Sequence, residues 1–367
     1  MRRSIRNRKS SRGSGCLVTR IAVIGVCVLT LAVEGACSFM THPRRITQTN
    51  GMRRMPLSTT TTSPRNDNPL FPVHNLRGGS SLNLSPMFDN GPFWKFNQII
   101  IATNLLGFVI SVVSGGSHLH LDLLGTGAFA LAALPTGLAS QIPRVQLSAG
   151  FVSLWGTKLA SFLFWRALQL KHDARLESTL STVSGTAVFW FISVLWGIIC
   201  SLPHSMGATS SLNTPILASP CGIAGAALFV MGILTETTAD YQKWMFKKNH
   251  PGQFCNVGLW SISQHPNFLG NMMLWSGIFL LNAPALIDPP PEATTNIFQH
   301  LWRFKRLAVA ALSPLFLYTL FTGQAQGSIT NTKELVMQRY GNDPNFLAYT
   351  KSVPLIFPNP LKFFQGQ

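Results

Sequence analysis

The chain has 367 residues, of which 46% are hydrophobic and only 11% are charged. Soluble domains carry about 25% charged residues, so this composition excludes an ordinary soluble enzyme and favours a membrane protein. The formal net charge is +17, a value that in other proteins can indicate nucleic-acid binding. Residues 1–88 hold 13 Lys and Arg against two acids. Because most of the excess charge belongs to this N-terminal segment, we expect no nucleic-acid partner.

The first 88 residues have the composition of targeting segments. Residues 1–20 are basic, residues 21–33 form an uninterrupted apolar run, and Ala36-Cys37-Ser38 is a small-residue cleavage pattern. These regions predict a signal peptide over residues 1–38, with a retained signal anchor as the alternative. Residues 39–88 are rich in Ser, Thr, Arg and Pro, which is typical of a transit peptide or of a disordered linker.

A signal peptide followed by a transit-like segment resembles the bipartite presequence of algae with complex plastids. That resemblance implies a protein of a plastid membrane. An ordinary secretory signal followed by a linker would instead place the protein in the endoplasmic reticulum membrane, and this alternative stays open.

Seven apolar stretches follow within residues 89–367, which we interpret as one transmembrane domain. A bilayer span needs about 20 mainly apolar residues. The candidates are residues 93–114, 121–140, 147–168, 186–202, 222–235, 268–287 and 307–323. The sequence therefore predicts an all-α, polytopic membrane helix bundle of six or seven helices, the fifth of them tilted or extended to about Asp240. We expect residues 331–349 to form a helix along the surface.

The stretch between the fifth and sixth apolar segments is unusually polar for a membrane boundary. Polar and ionisable groups in such a position are usually functional. Pro266 predicts the first turn of a helix, whose free N–H groups attract an anion. Simple capping of that helix, by Ser263 or by Asn267, is the structural alternative. The polar and ionisable residues of the stretch include Asp240, Lys243, Lys247, Lys248, His265 and Asn267.

This stretch resembles the C-terminal signature of the steroid 5-alpha-reductase-like membrane proteins. Looser similarity extends over residues 148–360. The resemblance implies a membrane oxidoreductase that uses NADPH to reduce a C=C bond of a hydrophobic, lipid-like enone. The matching elements are Asp240-Tyr241-Gln242-Lys243, Gly258-Leu259-Trp260, Ser263-Gln264-His265-Pro266-Asn267-Phe268-Leu269-Gly270-Asn271 and Trp275-Ser276-Gly277.

The resemblance also implies a set of cofactor contacts. Lysines hold phosphates as point charges, and an Asn amide both donates and accepts hydrogen bonds. Lys158 lies within the third apolar segment, where a charge should face the bundle interior. The implied cofactor-binding residues are Asp240, Lys243, His265, Asn267, Lys158, Arg339 and Tyr349.

The six cysteines show no C-x-x-C or His-paired spacing, so we expect no metal site.

Three positions depart from the family pattern. Gln264, Phe268 and Asn271 stand where relatives carry Arg, Tyr and Glu, and we identify no match to the catalytic Tyr and Glu of the family's N-terminal helices. Loss of the Arg removes a rigid, bidentate phosphate donor. Two alternatives therefore stay open. One is an S-adenosylmethionine-dependent methyltransferase resembling the isoprenylcysteine carboxyl methyltransferases, and the other is a non-catalytic membrane protein that keeps the fold.

Overall fold

The computed structural model describes residues 91–169, 176, 179–213, 215–216, 219–289, 297–329 and 332–359. All regular structure in these ranges is helical. The predicted signal peptide and transit peptide fall on residues 1–88 and lie outside the described residues.

The α-helices of the described ranges are numbered here in chain order. Two short 3₁₀ helices, Gly258–Ser261 and Ala283–Leu286, flank α7. The α-helices are α1 (Pro92–Val113), α2 (Leu121–Gly125), α3 (Gly127–Ala139), α4 (Pro143–Gln169), α5 (Val183–Gly207), α6 (Pro220–Asn249), α7 (Pro266–Asn282), α8 (Ile297–Trp302), α9 (Lys305–Ala310), α10 (Leu312–Gln326), α11 (Thr332–Tyr340) and α12 (Pro344–Ser352).

Seven helical stretches of the described chain are long and apolar enough to cross a membrane. Four of them are the single helices α1, α4, α5 and α6. In the others, α2 and α3 act together, α7 continues into the following 3₁₀ turn, and α9 and α10 act together. The predicted all-α polytopic bundle is therefore confirmed with seven spans, and the chain is an integral membrane protein.

Helix α6 is longer than the fifth predicted span. It contains 30 residues, which corresponds to about 45 Å at 1.5 Å per residue, whereas the hydrocarbon core of a bilayer is about 30 Å thick. The helix is therefore longer than one span needs, and its last turns carry Asp240 and Lys243. The predicted extension of the fifth span to about Asp240 was too short, because the charged residues beyond it continue the helix to Asn249.

Helices α6 and α7 touch through their backbones. A Cβ atom on Gly270 would lie 2.5 Å from the backbone nitrogen of Glu236, and one on Gly277 would lie 2.6 Å from the carbonyl oxygen of Gly225. On α6, a Cβ on Gly232 would lie 2.6 Å from the carbonyl oxygen of Gly270. Gly270 and Gly277 therefore allow the close packing of the two helices, and they define the face of α7 that meets α6.

An aromatic cluster fills the centre of the bundle. The Trp155 and Trp275 rings meet edge to face with centroids 5.0 Å apart, and Phe129 lies 5.2 Å from Trp155 and 5.4 Å from Trp275. All three side chains are fully buried. The cluster adjoins the polar residues of α6, because Trp155 donates a hydrogen bond to Glu236 at 3.4 Å.

The beginning of α7 agrees with the sequence prediction. Pro266 occupies the first turn, His265 is the N-cap residue, and no side chain caps the helix. The tail differs from the single surface helix that was predicted. It forms the two helices α11 and α12, because Asp343 caps a new helix by accepting a hydrogen bond from the Asn345 amide at 2.9 Å.

Candidate functional site

Glu236 lies at the centre of a polar cluster between α4, α6 and α7. Its side chain is only 4% exposed, and its Oε2 atom is 3.0 Å from the Nζ atom of Lys158. Its Oε1 atom accepts hydrogen bonds from Asn271 Nδ2 at 2.8 Å and from Trp155 Nε1 at 3.4 Å. A buried charge needs partners of this kind. Lys158 thus faces the bundle interior, as the sequence predicted.

Two further charges follow on the same face of α6. Asp240 lies one turn beyond Glu236, and its Oδ2 atom is 3.8 Å from Lys158 Nζ. Lys243 follows, with its Nζ atom 4.3 Å from the centroid of the Trp260 ring, which is a cation–π distance. Glu236 is buried and Lys243 is exposed. The face therefore leads from the bundle interior to the surface.

His265 is held uncharged at the start of α7. Its ring stacks on Phe268 with the centroids 4.8 Å apart and the planes 9° from parallel. Burial, and secondly the nearby charge of Lys243, lower the pKa of His265 to about 4. At neutral pH the imidazole is therefore neutral, so it offers one N–H donor and one nitrogen acceptor to a ligand.

A row of unsatisfied polar atoms runs down α7 from its N-terminus. The Asn267 Oδ1, Asn271 Oδ1 and Trp275 Nε1 atoms are buried and have no hydrogen-bond partner among the described residues. These residues are four apart, so their side chains share one face of the helix. Buried polar groups are normally paired, and such exceptions therefore mark places where a ligand or water completes the bonding.

The C-terminal tail covers the start of α7. Gln264 donates through Nε2 to the carbonyl oxygens of Thr350 and Val353, at 3.1 and 2.6 Å. Tyr349 donates its hydroxyl to the carbonyl oxygen of Trp260 at 2.7 Å, and its burial raises the pKa of that hydroxyl. The tail therefore forms a wall of the cluster, and Tyr349 is a neutral donor already in use.

The family of the chain is decided by residues 107–353, which match the model described as protein of unknown function (DUF1295). The chain belongs to this family. The DUF1295 family includes steroid 5-alpha-reductase-like membrane proteins, in agreement with the resemblance found in the sequence. The matched region contains every candidate site residue named above.

One curated protein gives a different functional name. The chain is similar to the probable O-methyltransferase ustE of Ustilaginoidea virens, with 25% identity over 174 residues that cover 46% of this chain and 57% of that protein. The chain thus spans little more than half the length of this relative. No solved structure matches the chain.

Of the seven cofactor-binding residues implied by the steroid 5-alpha-reductase-like signature, six lie around α6 and α7. Asp240, Lys243, His265, Asn267, Lys158 and Tyr349 belong to the cluster or its wall. Arg339 is exposed, and its guanidinium lies 5.8 Å from the ring centroid of the adjacent Tyr340. The role of Arg339 in cofactor binding stays a prediction, and its exposed position beside Tyr340 adds no support for it.

Sequence reasoning missed Glu236. The residue falls just past the predicted fifth span, and it was not weighed as a functional residue. The available signal was its spacing, since an acid four residues before Asp240 must share a helix face with it. Gln264 was interpreted as a lost phosphate donor, whereas its amide anchors the tail.

Proposed function

We propose that this DUF1295 protein is a membrane oxidoreductase that binds NADPH at the boundary where α6 ends and α7 begins, and that it reduces a C=C bond of a lipid-like enone. One observation carries the proposal. The Lys243 ammonium, the neutral His265 and the uncapped N-terminus of α7 meet at this boundary. Together they favour an anionic ligand with both donor and acceptor groups.

The cations around Lys243, at the boundary where α6 ends and α7 begins, fit the phosphate groups of a cofactor. Lys247 and Arg166 lie close enough to Lys243 to repel its ammonium. Lys247 is held by the hydroxyl of Tyr340 at 2.6 Å and by the carbonyl oxygen of Gln253. Lys243, which both of the other cations repel, would be stabilised by an anion bound beside it. The N–H groups of α7 add a positive dipole end.

The polar atoms on the inner side fit the rest of a dinucleotide. Asp240 would accept from a ribose hydroxyl, and Asn267 Oδ1, which is unsatisfied among the described residues, would accept from a carboxamide N–H. The bound cofactor would supply the hydride, while the chain supplies position and polarity. The lipid substrate would reach the site sideways from the bilayer.

A second candidate is an S-adenosylmethionine-dependent methyltransferase. The relative named as an O-methyltransferase favours it, and so does the carboxylate pair Glu236 and Asp240, the first of which accepts a hydrogen bond from Trp155. Acids and aromatic faces attract a sulfonium cation. S-adenosylmethionine is smaller and carries a net positive charge, so Lys243 and Lys247 have no equivalent use with it, and we place the reductase first.

Thermal unfolding of the purified full-length chain in detergent tests the two candidates. A ligand that binds only the folded state, at 100 times its Kd, adds about 2.7 kcal/mol of stability. We expect NADPH to raise Tm, and we expect His265→Ala and Asn267→Ala to abolish the rise. A rise with S-adenosylmethionine alone would assign the methyltransferase. No rise with NADPH, NADH or S-adenosylmethionine in a folded sample would favour the non-catalytic alternative.

A further inference from the structure

A second polar cluster lies at the opposite ends of the same helices. Arg144, at the start of α4, is 4% exposed. Its Nη1 donates to Asn282 Oδ1 at 2.6 Å, and its Nη2 donates to the carbonyl oxygens of Gly207 and Ser210 at 3.1 and 3.4 Å. These bonds tie together α4, the end of α5 and the end of α7.

The charge of Arg144 is not neutralised by the described part of the chain. No described carboxylate forms an ion pair with it within 4.0 Å. The charged group that acts on it is Arg306, a second cation. Arg306 is engaged with Asp288 at 3.9 Å and with the carbonyl oxygen of Met206 at 2.7 Å. A buried cation without a counterion is costly, so an anion is expected at this place.

A small cavity adjoins the Arg144 guanidinium. It has a volume of about 10 Å³, which is room for one water-sized group. Arg144, Ser219 and Gly222 line it together with the apolar Leu212, Ile216 and Leu281. The Nε–H group of Arg144 is buried and has no acceptor among the described residues. The missing partner is therefore a hydrogen-bond acceptor of the size of one oxygen atom.

The start of α6 adds a second source of positive potential. Ser219 is the N-cap of this 30-residue helix and accepts from the Gly222 amide at 3.4 Å. Pro220 in the first turn contributes no N–H group. The Ile223 amide is likewise bonded, to the carbonyl oxygen of Ser219, so what the start of α6 contributes at the cavity is the partial positive charge of the helix dipole.

We propose that this cavity binds one oxygen of a phosphate group, with Arg144 Nε as its hydrogen-bond donor and the positive end of the α6 dipole as a second source of attraction. The phosphate chemistry follows from the two positive groups and the single-atom space. The phosphate can come from a phospholipid headgroup or from free phosphate in solution. The apolar lining and the position at the ends of membrane-spanning helices favour the lipid. The proposal does not depend on the cofactor site, which lies at the other ends of α4, α6 and α7.

The test compares ligands that differ only in the phosphate. Full-length protein in detergent is titrated with phosphatidic acid, with diacylglycerol of the same acyl chains and with inorganic phosphate, and Tm is followed. We expect a saturable rise with phosphatidic acid and none with diacylglycerol. If inorganic phosphate raises Tm as much as phosphatidic acid does, free phosphate is the source of the bound group. No rise with either phosphate ligand would overturn the proposal.

Arg144 itself is a poor variant, because its other bonds hold three helices together. Ser219→Asp avoids this problem, since Asp caps a helix as well as Ser does and places a carboxylate where the phosphate oxygen would lie. We expect this variant to fold and to weaken phosphatidic acid at least tenfold. The matched control is Thr182→Asp, which changes the N-cap of α5 in the same way and should respond like the wild type. An unchanged affinity in Ser219→Asp would contradict the proposal.

Discussion

Asn271 donates a hydrogen bond to the carboxylate of Glu236 across the contact between α6 and α7, at 2.8 Å. Glu236 also binds Lys158 of α4, so one buried carboxylate joins three membrane-spanning helices. The resemblance to the steroid 5-alpha-reductase-like proteins implies Glu at the position of Asn271. In this chain a neutral donor on α7 therefore faces an acid on α6, and a second acid at position 271 would repel it.

This arrangement predicts that Lys158 is needed mainly to neutralise Glu236. Replacement of Lys158 by Met leaves a buried, unpaired carboxylate and should cost about 3–5 kcal/mol of stability. The double variant Lys158→Met with Glu236→Gln should recover most of that loss, because the amide no longer carries a charge. Detergent unfolding of the two single variants and the double variant measures the coupling. Additive losses would show that the two residues act independently.

The glycine contact predicts a strong and local packing effect. Gly270→Ala places a methyl group 2.5 Å from the Glu236 backbone nitrogen, so the helices must separate, at a cost of about 1–3 kcal/mol. Gly150→Ala on α4 is the control, because a Cβ at that position meets nothing within 4 Å. We expect a lower Tm for the first variant and an unchanged or higher Tm for the second.

The pKa of His265 predicts how stability changes with pH. Its pKa is about 4 in the folded protein and near 6.5 when unfolded, so the unfolded state binds more protons between these values. The stabilisation is complete above pH 6.5 and is lost as pH falls towards 4, by on the order of 1–3 kcal/mol. His265→Gln should lose less stability than the wild type between pH 7 and pH 5. The pKa of His120 is also lowered by burial, which affects both proteins equally and cancels in the comparison.

The bonds of Gln264 predict that it closes the tail over the site. Gln264→Ala removes two hydrogen bonds to carbonyl oxygens of the tail, each worth about 0.5–1.5 kcal/mol. Hydrogen exchange in α12 should become faster, while exchange in α4 should stay unchanged. Gln146→Ala, which removes an exposed bond to the carbonyl oxygen of Ser140, is the control. Unchanged exchange in α12 would mean that the tail is held by its other contacts.

The sequence predicted the features that depend on composition and spacing. Seven apolar stretches appear as seven spans, and Pro266 opens α7, because hydropathy and the fixed geometry of proline act locally. These features can be predicted without knowing which other helices pack against the segment.

The parts that could not be predicted depend on contacts between distant segments. The role of Gln264 requires the position of Thr350 and Val353, and the pairing of Glu236 requires both α4 and α7. The length of α6 was underestimated because charge was taken to end the helix, although Glu and Lys are good helix formers. For these reasons Gln264 is an anchor of the tail and not only a lost phosphate donor, and Asp240 and Lys243 lie on a helix that continues to Asn249.

The most direct test of the central claim is equilibrium binding of NADPH to the full-length protein in detergent, for wild type, Lys243→Gln and Lys248→Gln. Both lysines lie on the exposed last turns of α6, but only Lys243 is placed over Trp260 and beside His265. The account predicts saturable binding, weakened at least tenfold in Lys243→Gln and unchanged in Lys248→Gln. Absence of binding to the wild type, or equal loss in both variants, would contradict an NADPH site between α6 and α7.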